Sequence, residues 1–326
     1  MADLIITNGD SAAELLAAAG REGTILPWRD VLHEGPVVAG PLAVCSAERV
    51  AYLSRRFRLP VAEVADTFAE RDGILQAHAA FDRIELWFEH DLYDQLQLMQ
   101  VLAFFADAGR SDGVTLVQAD DFLGAQTAGT ILRFAERGGH DISGADLATA
   151  RGVWTDITAP TPEAIAARVA RPHPGFPFLV PALHRFLQEL PAPGSGLGRT
   201  EQTALDGIET GTTQPPRLFQ QTILQEEAAF MGDWSFFHLL DDLAFCEVPL
   251  IAGLAPPATA EIDDAARFRD VHLEMTMAGE DVLAGEEDHL ALNGLDRWWG
   301  GTRLTGRDVW RYDRAAHVLV PPGEKP

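Results

Sequence analysis

An α/β fold on a parallel sheet is what this sequence predicts, on three observations. Short apolar runs of strand length alternate with segments of helical period from residue 3 to residue 118, the pattern of strands joined by crossover helices. Three polar clusters each sit where a strand-like run gives way to a helix-like one: Gly9-Asp10-Ser11, then Asp30 with His33-Glu34-Gly35-Pro36, then Glu89-His90-Asp91 with Asp94-Gln95. Beyond residue 127 the alternation stops, so the sheet belongs to the N-terminal part of the chain.

Taken in order, residues 3–7 read as a short buried strand and 11–19 as a helix with Leu15, Leu16 and Ala19 on one face, ended by Gly20. Residues 24–28 give a second strand that runs into the His33 loop, and 46–57 and 61–78 read as helices. A third strand over 83–88 leads to an amphipathic helix over 92–108, in which Leu92, Leu96, Met99 and Ala103 recur at helical spacing, and 114–118 is a fourth strand. Between 127 and 190 no strand is expected; helices are, at 127–137, 143–154, 162–171 and 178–190. Pro191-Ala192-Pro193-Gly194-Ser195-Gly196 reads as a linker. After it, helices at 200–209, 215–228 and 233–245 precede strand-like segments at 271–277 and 310–319, the order of a winged helix-turn-helix. The expected organisation is a Rossmann-like α/β domain over 1–125, a helical extension over 126–190 and a winged-helix-like domain over 191–326.

With 326 residues and 47% hydrophobic content, the chain can bury a core sufficient for about two domains. Its longest apolar runs, such as 101–105 and 180–183, fall far short of the roughly 20 residues that cross a bilayer. The N-terminus has no basic stretch ahead of Leu4-Ile5-Ile6 and does not resemble a secretory signal. A cytoplasmic protein with no membrane partner is expected. Cys45 and Cys246 lie far apart, which argues against a disulfide framework or a zinc knuckle. Forty-nine acidic against twenty-five basic residues leave a formal charge of −24, a field that repels nucleic acid. Lys325 is the single lysine, which removes a P-loop lysine and a Schiff-base lysine from the options.

In a parallel α/β sheet the strand-to-helix junctions share one edge, so the three clusters are expected to converge on one crevice. Gly9-Asp10-Ser11 invites comparison with GDSL-type esterases, but the Asp-x-x-His that would activate such a serine is missing near the end of the α/β region. Ser11 with Glu14 also spells a capping box, and Gly9 would let backbone amides approach a phosphate at a helix N-terminus. His33 offers a general base or a ligand, Glu34 a carboxylate, and Gly35-Pro36 a fixed loop path; a solvated surface turn carries the same residue types. In the third cluster, Asp91 as a helix cap, with Asp94 and Gln95 in the first turn, accounts for those three residues. It leaves Glu89 and His90 unexplained, and these join His33 and Glu34 as candidate catalytic groups. Gly9, Asp10, Ser11, Asp30, Asp94 and Gln95 are the candidate contacts for a polar or phosphorylated small molecule. Asp10, Glu89 and Asp91 form the expected hard-oxygen set for Mg²⁺ or Mn²⁺, with Asp30 beside them, and His33 or His90 able to join a transition-metal site.

Laid out this way, the chain resembles the bacterial family known as domain of unknown function 1835. That family's pattern is a first strand ending in Gly-Asp-Ser, a second followed by Asp and a Gly-Pro turn, and a third ending in Trp before an acidic-Gln-Leu helix start. The matching residues are Gly9-Asp10-Ser11, Asp30 with Gly35-Pro36, and Trp87 with Asp94-Gln95-Leu96. The resemblance extends through Leu197-Gly198-Arg199-Thr200-Glu201, Phe230-Met231-Gly232-Asp233-Trp234 and Asn293-Gly294-Leu295-Asp296-Arg297-Trp298. It implies an N-terminal α/β domain with a winged-helix-like region after it, and it carries over no catalytic residue.

The segment placed to read DNA in such a region, 233–245, holds no Arg, Lys, Asn or Gln. Between 200 and 247 there are nine acids and one base, Arg217. A region that packs on the α/β domain, on a second subunit or on a protein partner therefore fits better than one that reads a duplex, with Trp234, Phe236, Phe237 and Leu240 as core or interface. Asp296-Arg297-Trp298-Trp299-Gly300-Gly301 reads as a turn that is either a second interaction point or packed into the core.

Overall fold

The computed structural model describes residues 3–257 and 266–324, and Lys325 lies outside them. The chain divides into two units, one of Met1–Ser54, Pro60–Leu183 and Gly300–Thr302, the other of Arg55–Leu59, His184–Trp299 and Arg303–Pro326.

The first unit is built from β1 (Asp3–Thr7), α1 (Asp10–Ala18), β2 (Thr24–Pro27), α2 (Leu42–Arg56), α3 (Val61–Gln76), β3 (Arg83–Glu89), α4 (Leu92–Ala108), β4 (Val114–Ala119), α5 (Arg133–Gly138), β5 (His140–Asp141), α6 (Gly144–Ile157) and α7 (Glu163–Arg168). The sheet order is β2-β1-β3-β4-β5. The first four strands are mutually parallel, with Ile5 opposite both Ile25 and Glu85, and Leu86 opposite Leu116. β5 is the antiparallel edge, pairing Leu116 with His140. No strand was expected there, because two residues are too few to show a period.

From β1 the chain crosses by α1 to one side of the sheet order, and from β3 it crosses by α4 to the other. Right-handed crossovers then place α1 and α4 on opposite faces, and the order reverses between β1 and β3. Ile5, Trp87 and Val117 pack with Ala12 and Leu16 of α1 and Phe134 of α5. α4 departs from the expected amphipathic stripe. Leu92, Leu96, Leu98, Met99, Val101, Leu102 and Phe105 are each at most 1% exposed, and Gln95, Gln97 and Gln100 are buried as well, so the helix is covered almost all round.

The remaining elements are α8 (Leu179–Leu187), α9 (Arg199–Glu209), α10 (Pro215–Ile223), α11 (Asp233–Ala244), β6 (Ile251–Ala252), α12 (Ala266–Arg269), β7 (Glu274–Met275), α13 (Met277–Ala284), α14 (His289–Asn293), β8 (Leu295–Trp299), β9 (Thr302–Gly306), β10 (Arg311–Asp313) and β11 (Val318–Val320). Ala204, Leu205, Leu218, Phe236, Leu240 and Phe268 share one core, in which Phe237 stacks on Phe268 at 4.6 Å. The strands form three two-stranded sheets, β6–β7, β8–β9 and β10–β11, in place of the single hairpin expected from segments 271–277 and 310–319. The expected turn at Asp296–Gly301 is largely strand: Trp299 lies on β8, stacks on Phe186 at 4.0 Å and donates its indole N–H to the Phe186 carbonyl at 2.8 Å. Arg297, beside it, pairs with the buried Glu201. Among the described residues no helix is long and apolar enough to cross a membrane.

Candidate functional site

The carboxyl ends of β1 and β3 flank the point where the strand order reverses, the usual place for a ligand crevice in an open α/β sheet. Asn8, the residue after β1, donates from Nδ2 to Glu89 Oε1 and to Asp94 Oδ2, both at 2.9 Å. Glu89 ends β3 and also accepts the Leu123 amide at 2.8 Å, from the loop after β4. Asp91 adopts the extended backbone of a helix cap and accepts the Asp94 amide at 3.1 Å. Gln95 reaches back to donate to the Glu89 carbonyl at 2.7 Å, while its Oε1 is buried with no hydrogen-bond partner. Glu89, Asp91 and Asp94 are all buried, and each offers a carboxylate oxygen within 4.8 Å of the others.

Burial raises the pKa of Glu89, and it raises Asp91 and Asp94 well above the ordinary carboxylate range, with the neighbouring carboxylate charge as the second cause for those two. The donors that reach the group, Asn8 and the backbone amides, are neutral. Three acids this close and this dry do not ionise together, so the group retains a proton or takes up a cation.

The end of β2 is organised differently. Asp30 is buried, accepts Arg49 Nε at 2.9 Å through its carboxylate, and accepts Gln97 Nε2 at 2.7 Å through its carbonyl. Arg49 also donates to the carbonyls of Val31, Glu34 and Pro36 at 2.7, 2.8 and 3.2 Å, so one guanidinium holds the whole His33-Glu34-Gly35-Pro36 loop. Tyr52 donates to Glu34 at 3.1 Å. Gly35 has φ +75°, and a Cβ there would lie 2.4 Å from the Tyr52 ring, so the position takes glycine only. His33 is buried with its ring centroid 6.1 Å from that of Tyr93 in α4. Behind the loop, the Trp28 indole donates to Gln100 at 2.9 Å, and the Arg71 guanidinium lies between the Trp28 and Phe68 rings.

Asp10 stands outside the acidic group. It is exposed, and Arg29 forks onto both its oxygens at 2.6 to 3.0 Å and holds its pKa below the usual range. Asp94, expected to contact a ligand, takes the place in the group expected of Asp10. Gly9 caps α1 with extended backbone, so the helix starts at Asp10 and the Ser11–Glu14 capping box does not form; Ser11 is exposed. His90 is half-buried and meets Phe122 and Phe178 edge-on, and burial lowers its pKa. The third cluster thus gathers at the start of α4 with Asn8, the second reaches the same helix through Asp30 to Gln97 and His33 to Tyr93, and Asp10 of the first turns to Arg29 instead. The residues that join them, Asn8, Arg49, Gln97 and Leu123, were not singled out in the sequence. Asn8 directly before Gly9, and three glutamines in an apolar helix, were signals to be found; Arg49 offered none.

No family model matches the chain, and no curated protein matches it.

Proposed function

We propose that the first unit binds a polar or phosphorylated small molecule at the carboxyl ends of β1, β2 and β3, with a divalent cation held by Glu89, Asp91 and Asp94. The observation that supports this reading is the close set of three buried carboxylates served by neutral donors. Hard oxygen ligands suit Mg²⁺, Mn²⁺ or Ca²⁺, and Gln95, whose Nε2 donates to the Glu89 carbonyl, has a buried Oε1 with no hydrogen-bond partner. An anionic ligand would approach this acidic floor only with a cation between, and that charge balance is what the cation supplies. His33 and His90 are the titratable groups that flank the proposed ligand. The resemblance to domain of unknown function 1835 rests on the same strand-end residues.

The test is thermal unfolding of chelator-treated protein with Mg²⁺ or Mn²⁺, alone and with a panel of phosphorylated metabolites. Cation-dependent stabilisation that is lost in Glu89→Gln and Asp91→Asn supports the reading. Equal melting with and without cation, in wild type and variants alike, overturns it.

A second reading concerns the other unit, where Leu224, Trp234, Phe245 and Met277 are exposed apolar side chains. The succession α9, α10, α11 and then strands supports a winged-helix-like module, and the acidic α11 favours a protein partner or a second copy over a duplex. Light scattering after size exclusion tests the dimer: a monomer at all concentrations removes it.

A further inference from the structure

We infer that His184 and His317 form a two-imidazole clip for a divalent transition-metal ion of the zinc, nickel or copper class. His184 lies on α8 and His317 in the turn between β10 and β11, yet Nε2 of the first and Nδ1 of the second stand 2.8 Å apart, with ring centroids 4.7 Å apart. Gln188 Nε2 donates to His184 Nδ1 at 3.4 Å, which leaves the hydrogen on His184 Nε2 as the atom between the rings. Two nitrogens bound to one such ion at about 2.0–2.1 Å are themselves about 3 Å apart, so the observed separation already suits an ion that sits to one side of the line between them, with each ring turned to aim its lone pair at it. The displaced proton moves to His184 Nδ1 and breaks the long Gln188 contact.

Two further observations point to the same place. His317, whose ring lies against His184, has φ +57°, a left-handed backbone that a side-chain-bearing residue adopts at a cost. The Tyr312 hydroxyl lies 3.4 Å from the same His317 nitrogen, a neutral oxygen beside the clip. The charge of Glu227 favours a cation at His184 and that of Arg199 opposes it, but the two are paired with each other at 3.3 Å. The formal charge of −24 draws cations to the protein as a whole. Imidazole selects the zinc, nickel and copper class, whereas the carboxylates around Glu89 select harder ions.

The test uses the full chain, without a histidine tag and stripped of metal, titrated with CuCl₂ at neutral pH and followed by electron paramagnetic resonance and calorimetry. One copper per chain with two-nitrogen coupling is expected. His184→Gln and His317→Asn should each lose that coupling while circular dichroism stays unchanged, asparagine being the side chain best suited to a left-handed backbone. Glu89→Gln should keep it, which separates this clip from the acidic group. Wild type without nitrogen-bound copper, or an unaltered spectrum in both histidine variants, overturns the proposal.

Discussion

The Asp94 carboxylate accepts the backbone N–H of Glu89 at 2.6 Å, closing the turn that joins β3 to α4. Asp91 accepts the amide of Asp94 in the same turn. These acids therefore serve as acceptors for the chain while crowding negative charge at the positive end of a helix. A substitution that keeps the acceptor and removes the charge separates the two roles.

Asp91→Asn is such a substitution. Burial raises the folded pKa of Asp91 and Asp94 above the unfolded values near 4. The neutral form is the one the fold prefers, so this stabilisation is complete below about pH 4 and fades as pH climbs through the raised folded pKa values. The variant should melt higher than cation-free wild type at neutral pH, show a flatter profile of melting temperature against pH, and lose any response to Mg²⁺. A variant that melts lower at neutral pH would show that the charge is already compensated.

Arg49→Met should cost about 3–5 kcal/mol in urea unfolding, because it removes the nearer of the two guanidinium partners of the buried Asp30 carboxylate, leaving Arg71 at 3.7 Å, and strands three loop carbonyls. Adding Asp30→Asn should recover part of that loss. Equal stability of the two variants would mean that the carbonyls, rather than the ion pair, carry the cost.

Gly35→Ala should lower stability by about 1–3 kcal/mol, from its left-handed backbone and its contact with Tyr52. Tyr52→Ala relieves the contact but not the backbone, so the double variant should be less destabilised than the sum of the singles.

Gln100→Leu leaves the fully buried Trp28 indole N–H without its acceptor, at a cost of about 1–3 kcal/mol in denaturant unfolding. A loss near zero would show that another group takes up that hydrogen.

Elements with strong local signals were readable in the sequence. Asp3–Thr7 and Leu92–Ala108 fall on the expected bounds, since a five-residue apolar run and a capping Asp91 are properties of neighbouring residues. β8 was hidden because Trp298-Trp299 does not alternate with the residues before it and Gly300-Gly301 imitates a loop. The site was half readable for the same reason. Asp91 caps its own helix, but Asn8 and Glu89 are 81 positions apart, and Arg29, which draws Asp10 away, lies 19 positions beyond it. Arg49 sits in a segment that reads in the sequence simply as a helix, and its burial depends on carbonyls presented by a separate loop.

The enclosure of α4 has a kinetic consequence. With nearly every side chain sealed, its amides can meet deuterium only when the unit opens as a whole, so its exchange should be the slowest in the chain and should report global unfolding. Helix breathing then offers no passage to the carboxylates at its start, and an ion would enter through the more exposed segments around Asn8 and Phe122.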